Sequence, residues 1–346
     1  MKQQEPLRNI SELGEFSLIE ELTRDFHSDK KEIIVGIGDD AAAISSDNKI
    51  VQLISTDLLV EGVHFDPMYT PYKHLGYKAV AVNVSDICAM NGFAEYITVS
   101  LAISSKYSIE ALEELYAGIK AACIQYNLEL VGGDTTAAPF GLTISITVFG
   151  KVHKTDLVTR SGAKVYDLLV VSGDLGGAYM GLQVLEREKE VFKTNPEIQP
   201  DLDGFDYIIQ RQLKPEARRD VVGILKELKV TPTSMIDISD GLASEILHLC
   251  KSSNVGCHVY GEKIPMDTQT VQTSIDFNID PTTAALNGGE DYELLFTIQQ
   301  KDLEIIQSNP NFTIIGHMTD EKDGIYHIDK QGAAVTLKAQ GWKHFN

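Results

Sequence analysis

HLGYKAVAVNVSDICAM, residues 74–90, is a largely apolar stretch that carries polar residues able to do chemistry, Asn83 and Asp86 among them. Val80, Val84 and Ile87 recur at i, i+4 and i+7, the spacing of one helical face. On that helix Asn83 and Asp86 stand three apart and share a face. An acid inside an otherwise apolar helix is rarely buried without a partner, so Asp86 asks for one. Strands flank the helix: KIVQLISTDLL at 49–59 with Thr56 and Asp57 at its end, and a run at 96–103. A strand–helix–strand unit of this kind starts a mixed α/β fold rather than a barrel or a bundle.

Working outward, 16–28 reads as a short helix, and 32–44 as a strand that runs into the glycine turn GIGDDAA (36–42). Asp39 and Asp40 sit side by side in that turn, and two adjacent carboxylates need a cation nearby or full solvation. Residues 108–126 form an amphipathic helix with Ser108 as N-cap and a stripe of Leu112, Leu115, Ile119 and Cys123. LTISITVFG (142–150) alternates strictly, as a half-buried strand does. A second unit begins near 152, with a strand at 166–173, a small-residue helix at 176–187, a polar acidic loop at 193–206, a helix started by Pro215 and another at 242–251. NGGEDYELLFTI then passes from a turn into a strand, and short strands follow. The fold class expected is mixed α/β (α+β) in two domains, 1–151 and 152–346.

The chain of 346 residues carries 50 acidic and 30 basic side chains, a formal net charge of −20. Such a mean field repels phosphate, so nucleic acid and anionic membrane are not expected partners. No apolar run reaches a membrane span, the N-terminus has no signal-like apolar region, and the four cysteines form no CxxC pair. A cytoplasmic protein is expected. Phosphate chemistry in so acidic a chain requires metal cations or a few well-placed Lys and Arg.

The nucleotide motifs with sharp signatures are absent: there is no GxxxxGK[ST], and SGDLGGA (172–178) misses the dinucleotide spacing. Instead, acids recur beside Gly, Ser or Thr at GIGDDAA, STDLLVEGVHF, NVSDICAM, VGGDTT, IDISDGL and NGGEDYEL. Aspartate is a short, hard oxygen ligand, hydroxyls complete an oxygen shell, and glycine admits a phosphate to the backbone; together they suit Mg²⁺ bridging polyphosphate oxygens. Each motif alone also reads as a turn or helix cap: Asp240 before Gly241 as a cap, Glu290 and Asp291 after Gly288-Gly289 as a solvated turn.

Taken in order, GEFSLIEEL (14–22), GIGDDAA (36–42), STDLLVEGVHF (55–65), YKAVAVNVSDICAM (77–90), VGGDTT (131–136), TRSGAK (159–164), IDISDGL (236–242), NGGEDYELLF (287–296) and GWKHF (341–345) resemble the motif series of thiamine-monophosphate kinase over nearly the whole chain. NGGEDYEL with GEFSLI separates that family from the related aminoimidazole-ribonucleotide and selenophosphate synthetases. The resemblance implies the two-domain fold of that superfamily, with N-terminal domains pairing in a homodimer. It implies ATP-dependent phosphorylation of thiamine monophosphate to thiamine diphosphate. Carried over by motif, Asp40, Ser55, Thr56, Asp57, Asp86, Asp134, Asp237 and Asp240 would hold several Mg²⁺ ions, with Asp57, Asp86 and Asp240 central to catalysis. Asp40, Thr56, Tyr116, Gly133, Asp134, Arg160 and Ser239 would contact ATP; His64, Glu290 and Trp342 would contact the thiamine phosphate.

The residue chemistry is consistent with this. A phosphate acceptor oxygen is already ionised near neutral pH and needs no strong base, so transfer depends on positioning and charge neutralisation. Arg160 is the cation whose fork geometry suits phosphate. A cationic thiazolium suits Trp342 by stacking and Glu290 by charge. Direct in-line transfer is expected, because no His, Ser or Cys sits in a nucleophile arrangement. The competing readings are another ATP-dependent synthetase of the superfamily, a non-catalytic acidic metal-binding module, and a metal-dependent phosphohydrolase. A selenophosphate synthetase would carry a reactive Cys near its N-terminus, whereas the first cysteine here is Cys88, inside a helix.

Overall fold

The computed structural model describes residues 14–26 and 28–341. In chain order the elements are α1 (Glu15–Thr23), β1 (Ile33–Val35), β2 (Ala42–Ser45), β3 (Ile50–Val60), α2 (Tyr72–Ala89), β4 (Phe93–Ile103), α3 (Ile109–Tyr126), β5 (Glu129–Ala137) and β6 (Leu142–His153). They continue with β7 (Leu168–Ser172), α4 (Gly177–Thr194), α5 (Asp206–Leu213), α6 (Arg219–Leu228), β8 (Ser234–Asp237), α7 (Leu242–Ser253), β9 (Val255–Tyr260), α8 (Thr268–Asp276) and α9 (Pro281–Asn287). The last are β10 (Leu294–Ile298), α10 (Leu303–Gln307), β11 (Phe312–Asp320), β12 (Ile325–Ile328) and β13 (Ala334–Thr336). The mixed α/β class expected from the sequence is the architecture found.

Two sheets carry the fold. The first, six-stranded, runs β1-β2-β3-β6-β4-β5; every pair is antiparallel except β4–β5. The second, seven-stranded, runs β13-β12-β9-β11-β7-β10-β8, with β12–β9 its parallel pair. Between them lies α2, which packs on β3, β6 and β4 of the first sheet and on β8, α5 and α6 of the second unit. Fourteen of its 18 residues are buried, which is why its sequence is apolar nearly all round. Its neighbour α3 is capped as the sequence predicts, Ala111 N–H donating to Ser108 Oγ at 3.3 Å. The two helices touch backbone to backbone: a Cβ on Gly76 would lie 2.0 Å from Leu115 O, and one on Gly118 1.9 Å from Lys73 O. One apolar core runs from the first sheet through α2 and α3 to Val170, Met235, Leu294 and Phe296 of the second. A separate core, with Leu169, Val171, Ile236 and Leu295, fills the other face of the second sheet against α7.

Several boundaries differ from the sequence-based expectation. The strand at 32–44 is two strands, β1 and β2, because the GIGDDAA turn breaks it, with Gly38 at φ 115°. The helix placed at 16–28 ends at Thr23, and β3 continues to Val60, so Asp57 lies inside a strand rather than at its end. Pro215 starts no helix; it stands in the extended connection before α6, which begins at Arg219. VGGDTT is part of strand β5. Of segment 193–206, residues 195–205 form a largely exposed connection between α4 and α5, while its ends belong to those helices.

Candidate active site

Five of the six acidic motifs meet at the seam between the sheets; VGGDTT, on β5, does not. Side chains alternate across β3, so Ser55 and Asp57 face α2 while Thr56 and Leu58 face away. From α2, Asn83 Oδ1 accepts the Asp57 N–H at 3.0 Å, and Asp86 Oδ2 accepts the hydroxyl of Ser55. Asp237, at the end of β8, accepts from Ser85 of α2 at 2.5 Å. Asp40 reaches the same point from the turn between β1 and β2. One carboxylate oxygen from each of Asp40, Asp86 and Asp237 lies within 4.8 Å of the other two.

Three carboxylates this close, with Asp40 and Asp237 buried and Asp86 half-buried, repel one another. Loss of hydration, reinforced by the neighbouring charges of Asp57, Asp237 and Asp40, holds the Asp86 carboxyl well above the carboxylate range. Burial, with Asp40 next, pushes Asp237 up to about 7. Burial raises Asp40 too, although Arg160 opposes it. The Arg160 Nη2 and Nε groups donate to Asp40 Oδ1 at 2.6 and 3.2 Å, and its main-chain N–H donates to both oxygens of Asp39 at 3.2 and 3.3 Å. Arg160 is therefore the cation that the adjacent aspartates require. Asp40 Oδ2 remains buried without a hydrogen-bond partner. A buried orphan carboxylate oxygen among hard carboxylate and hydroxyl donors fits a small divalent cation.

Two loops close the seam from the second sheet. In IDISDGL, Asp240 N–H donates to Glu245 Oε1 at 3.0 Å, and the N-cap of α7 is Gly241 rather than Asp240. Ser239, half-buried beside it, accepts at its carbonyl from Glu290 N–H at 2.7 Å. In NGGEDYEL, Glu290 and Tyr292 both occupy the left-handed region, φ 65° and 52°, a strained arrangement for non-glycine residues. The three acids of this loop take different partners. Glu290 meets Lys78 Nζ at 2.8 Å and Gln212 Nε2 at 2.6 Å. Asp291 accepts from Gly176 N–H at 2.7 Å and Ala178 N–H at 3.3 Å, holding the N-terminus of α4. Glu293 takes Arg211 at 2.9 Å, Arg218 and Ser172. Lys78, Gln212, Arg211 and Arg218 are the residues that sequence reasoning missed. Lys78, a lysine inside the apolar run of α2, was the available signal; the two arginines lie in an unremarkable amphipathic segment.

The remaining expected residues separate. The hydroxyl of Thr56 donates to Ile146 O at 3.1 Å and accepts from Thr147 on the opposite face of the sheet from Asp57. Tyr116, Gly133 and Asp134 share a groove of about 380 Å³ with Val99, Leu130 and Thr135, at the β5 edge. Asp57 pairs across β6 and β4 with the β5 residue Gly133. Three strand spacings therefore put Asp134 about 14 Å from Asp57 within one chain. Gly133 has a packing reason to be glycine: a Cβ there would stand 1.8 Å from Val99 O. His64 closes the turn after β3, Nδ1 accepting the Val60 N–H at 3.0 Å, so the ring proton sits on Nε2. Trp342 lies outside the described residues. The chain just before it is laid on both loops: Gln340 N–H donates to Asn287 Oδ1 at 2.8 Å, and a Cβ on Gly341 would be 2.5 Å from Asp240 O.

Residues 38–152 match the model of the family described as AIR synthase related protein, N-terminal domain. The chain is 32% identical to the thiamine-monophosphate kinase of Bacillus subtilis, over 96% of this chain and 100% of that protein. It is 35% identical to the Aquifex aeolicus thiamine-monophosphate kinase, over 97% of this chain and 99% of that protein. Among solved structures, AaThiL complexed with AMPPCP and TMP superposes with a TM-score of 0.83 at 33% identity, covering 98% of this chain and 99% of that one. Full-length identity of this order, together with the converging motif loops, establishes that the chain belongs to the thiamine-monophosphate kinase family.

Proposed function

We propose that this chain transfers the terminal phosphoryl group of ATP to thiamine monophosphate, giving thiamine diphosphate and ADP. The observation that carries the proposal is the meeting of Asp40, Asp86 and Asp237, with Arg160 bound to Asp40 Oδ1 and Asp40 Oδ2 unpartnered. Membership of the family and its relative with AMPPCP and TMP support it.

Asp40, Ser55, Asp57, Asp86, Asp237 and Asp240 would hold Mg²⁺ at the seam, with Asp134 completing the set; the Thr56 hydroxyl, bonded to Ile146 O and Thr147 on the opposite face of the sheet, would not reach those ions. Bound there, the ions would neutralise negative charge on the reacting phosphate oxygens. Arg160 would bridge Asp40 and a phosphate of ATP through its guanidinium fork. Tyr116, Gly133 and Asp134 would form the nucleotide groove with Ser239, and Glu290, His64 and Trp342 the acceptor end. The acceptor oxygen is ionised, so no side chain need take its proton, and transfer is direct.

We further propose that residues 1–151 and 152–346 act as two domains and that the first pairs in a homodimer. The face of the first sheet turned away from α2 supports this: Leu58 is 53% exposed there, and every residue of β5 is exposed. Pairing would also account for the distance between Asp134 and Asp57, since Asp134 of the partner subunit could then complete a site that one chain leaves open. The free state of Cys88, Cys123, Cys250 and Cys257 fits a reducing, cytoplasmic setting, and no helix among the described residues is long and apolar enough to cross a membrane.

The decisive test offers ATP with thiamine monophosphate, thiamine or water as acceptor, in Mg²⁺ and in EDTA. Thiamine diphosphate formed only in Mg²⁺ is the expected result. Turnover with water alone would replace the kinase by a hydrolase, and ion binding without nucleotide turnover would leave a metal-binding module. A phosphorylated protein trapped from labelled ATP without acceptor would overturn direct transfer.

A further inference from the structure

We infer that Lys78 is a positioning residue for the acceptor end of the site, acting through Glu290. The inference rests on the reading that Glu290 faces the acceptor. Lys78 is 3% exposed and lies on α2 among core residues, a place a lysine occupies only with its ammonium satisfied. Two groups satisfy it. Glu290 Oε1 stands 2.8 Å from Nζ, and the main-chain carbonyl of Gln212, in the last turn of α5, accepts at 3.2 Å. That carbonyl belongs to the negative end of a helix, where a cation is favoured. Gln212 then closes the arrangement by donating from its own side chain to Glu290 Oε2 at 2.6 Å. Both oxygens of Glu290 are thus held from behind, while 28% of its side chain remains exposed.

The backbone of Glu290 is held as firmly. It sits at φ 65° and donates its N–H to Ser239 O at 2.7 Å. A glutamate in that conformation is kept there by its surroundings, and Lys78 is the charged part of them. The reason to take the anchoring ion from α2 is geometric. Lys78 and Asp86 lie on one buried helix, eight residues apart, so they are separated by about 12 Å along its axis. One rigid element therefore sets both the metal carboxylate and the lysine that fixes Glu290. The distance from the phosphate end of the acceptor to the group facing Glu290 is a property of α2, not of two independent loops. An acceptor with a cationic or N–H-bearing ring at that distance from its phosphate would match the carboxylate that Lys78 presents.

The test is steady-state kinetics of Lys78→Met with ATP and thiamine monophosphate, alongside wild type, Lys78→Arg and Glu290→Gln. In Lys78→Met we expect KM for thiamine monophosphate to rise about tenfold, the loss of one ground-state contact, with KM for ATP changed by less than about twofold. Mg²⁺ binding measured by calorimetry should be unchanged. Lys78→Arg should recover part of the loss, because it keeps the charge. The double variant Lys78→Met/Glu290→Gln should be no worse than Glu290→Gln alone, since the two side chains act as one unit. An acceptor KM within about twofold of wild type in folded Lys78→Met, or additive effects in the double variant, overturns the inference. If Lys78→Met does not fold, Gln212→Met, which removes only the donor to Oε2, should raise the acceptor KM by about threefold, and no change there overturns it equally. Failure of the proposed function is read separately, as absence of thiamine diphosphate in the wild-type reaction.

Discussion

Arg160 spends both of its donors to Asp40 on one carboxylate oxygen, Oδ1, at 2.6 and 3.2 Å, and leaves Asp40 Oδ2 buried and unbonded. A structural ion pair would be expected to satisfy both oxygens, as Asp39 does by accepting the Arg160 N–H. The asymmetry marks Oδ2 as the atom with a job outside the chain.

Replacing Arg160 by alanine therefore has two consequences. Without divalent ions it leaves Asp39 and Asp40 without their cation and should destabilise the fold by about 3 kcal/mol, the scale of breaking a buried pair. With Mg²⁺ part of that loss should return. Urea unfolding in EDTA and in Mg²⁺ measures both, and equal losses in the two buffers would place Arg160 outside the ion-binding cluster.

Asp86→Asn replaces one of the three converging carboxyl groups by a neutral amide. The folded protein should survive, and in EDTA it should be about as stable as wild type, because burial and the neighbouring aspartates already hold the Asp86 carboxyl well above the carboxylate range. Activity should fall by about 10²–10³-fold, the range for losing one preorganised electrostatic contact. A variant that retains full kcat would take Asp86 out of the reaction.

The cluster also predicts how stability follows pH. Asp237 is raised from 3.8 to about 7 by burial and by Asp40, and Asp39 from 3.8 to about 6 by burial and by Asp40. A carboxyl whose folded pKa is raised favours folding below its unfolded value, and that contribution is lost as pH climbs through the folded value. In EDTA the melting temperature should lose this contribution between about pH 4 and pH 7. Added Mg²⁺ displaces the protons, so its stabilising effect should grow over the same interval. Thermal melts at several pH values, with and without Mg²⁺, check this; an Mg²⁺ effect independent of pH would contradict it.

Gly133→Ala would push a Cβ to 1.8 Å from Val99 O. The parallel β4–β5 pairing must then shift, at a cost of about 1–3 kcal/mol. Because the same residue lines the groove with Tyr116 and Asp134, KM for ATP should rise while KM for thiamine monophosphate stays close to wild type. A change confined to the acceptor KM would move the nucleotide elsewhere.

Much of this molecule was legible before it was folded. The 3.6-residue period around Val80, Val84 and Ile87, the Ser108 cap and the alternation of 142–150 are local signals, and each corresponds to an element of the structure. The string of acidic motifs, in order, was enough to indicate the family, because residue types and spacing are properties of the chain alone. What local signals cannot carry is which oxygen meets which cation. Asp39 and Asp40 announced a need for positive charge, but Arg160 answers it from 120 residues away through tertiary packing. Thr56 and Asp57 are neighbours in sequence, yet the pleat sends them to opposite faces of the sheet. Lys78 stood inside the motif YKAVAVNVSDICAM without a role, and Arg211 and Arg218 had no motif around them; their roles exist only because α2, α5 and the segment leading into α6 are brought against the Glu290–Glu293 loop. The sequence by itself determined most of the elements and the chemistry available to them. The tertiary structure decided the assignments, because charge pairing acts through distance, and distance is settled only when the two sheets close on α2.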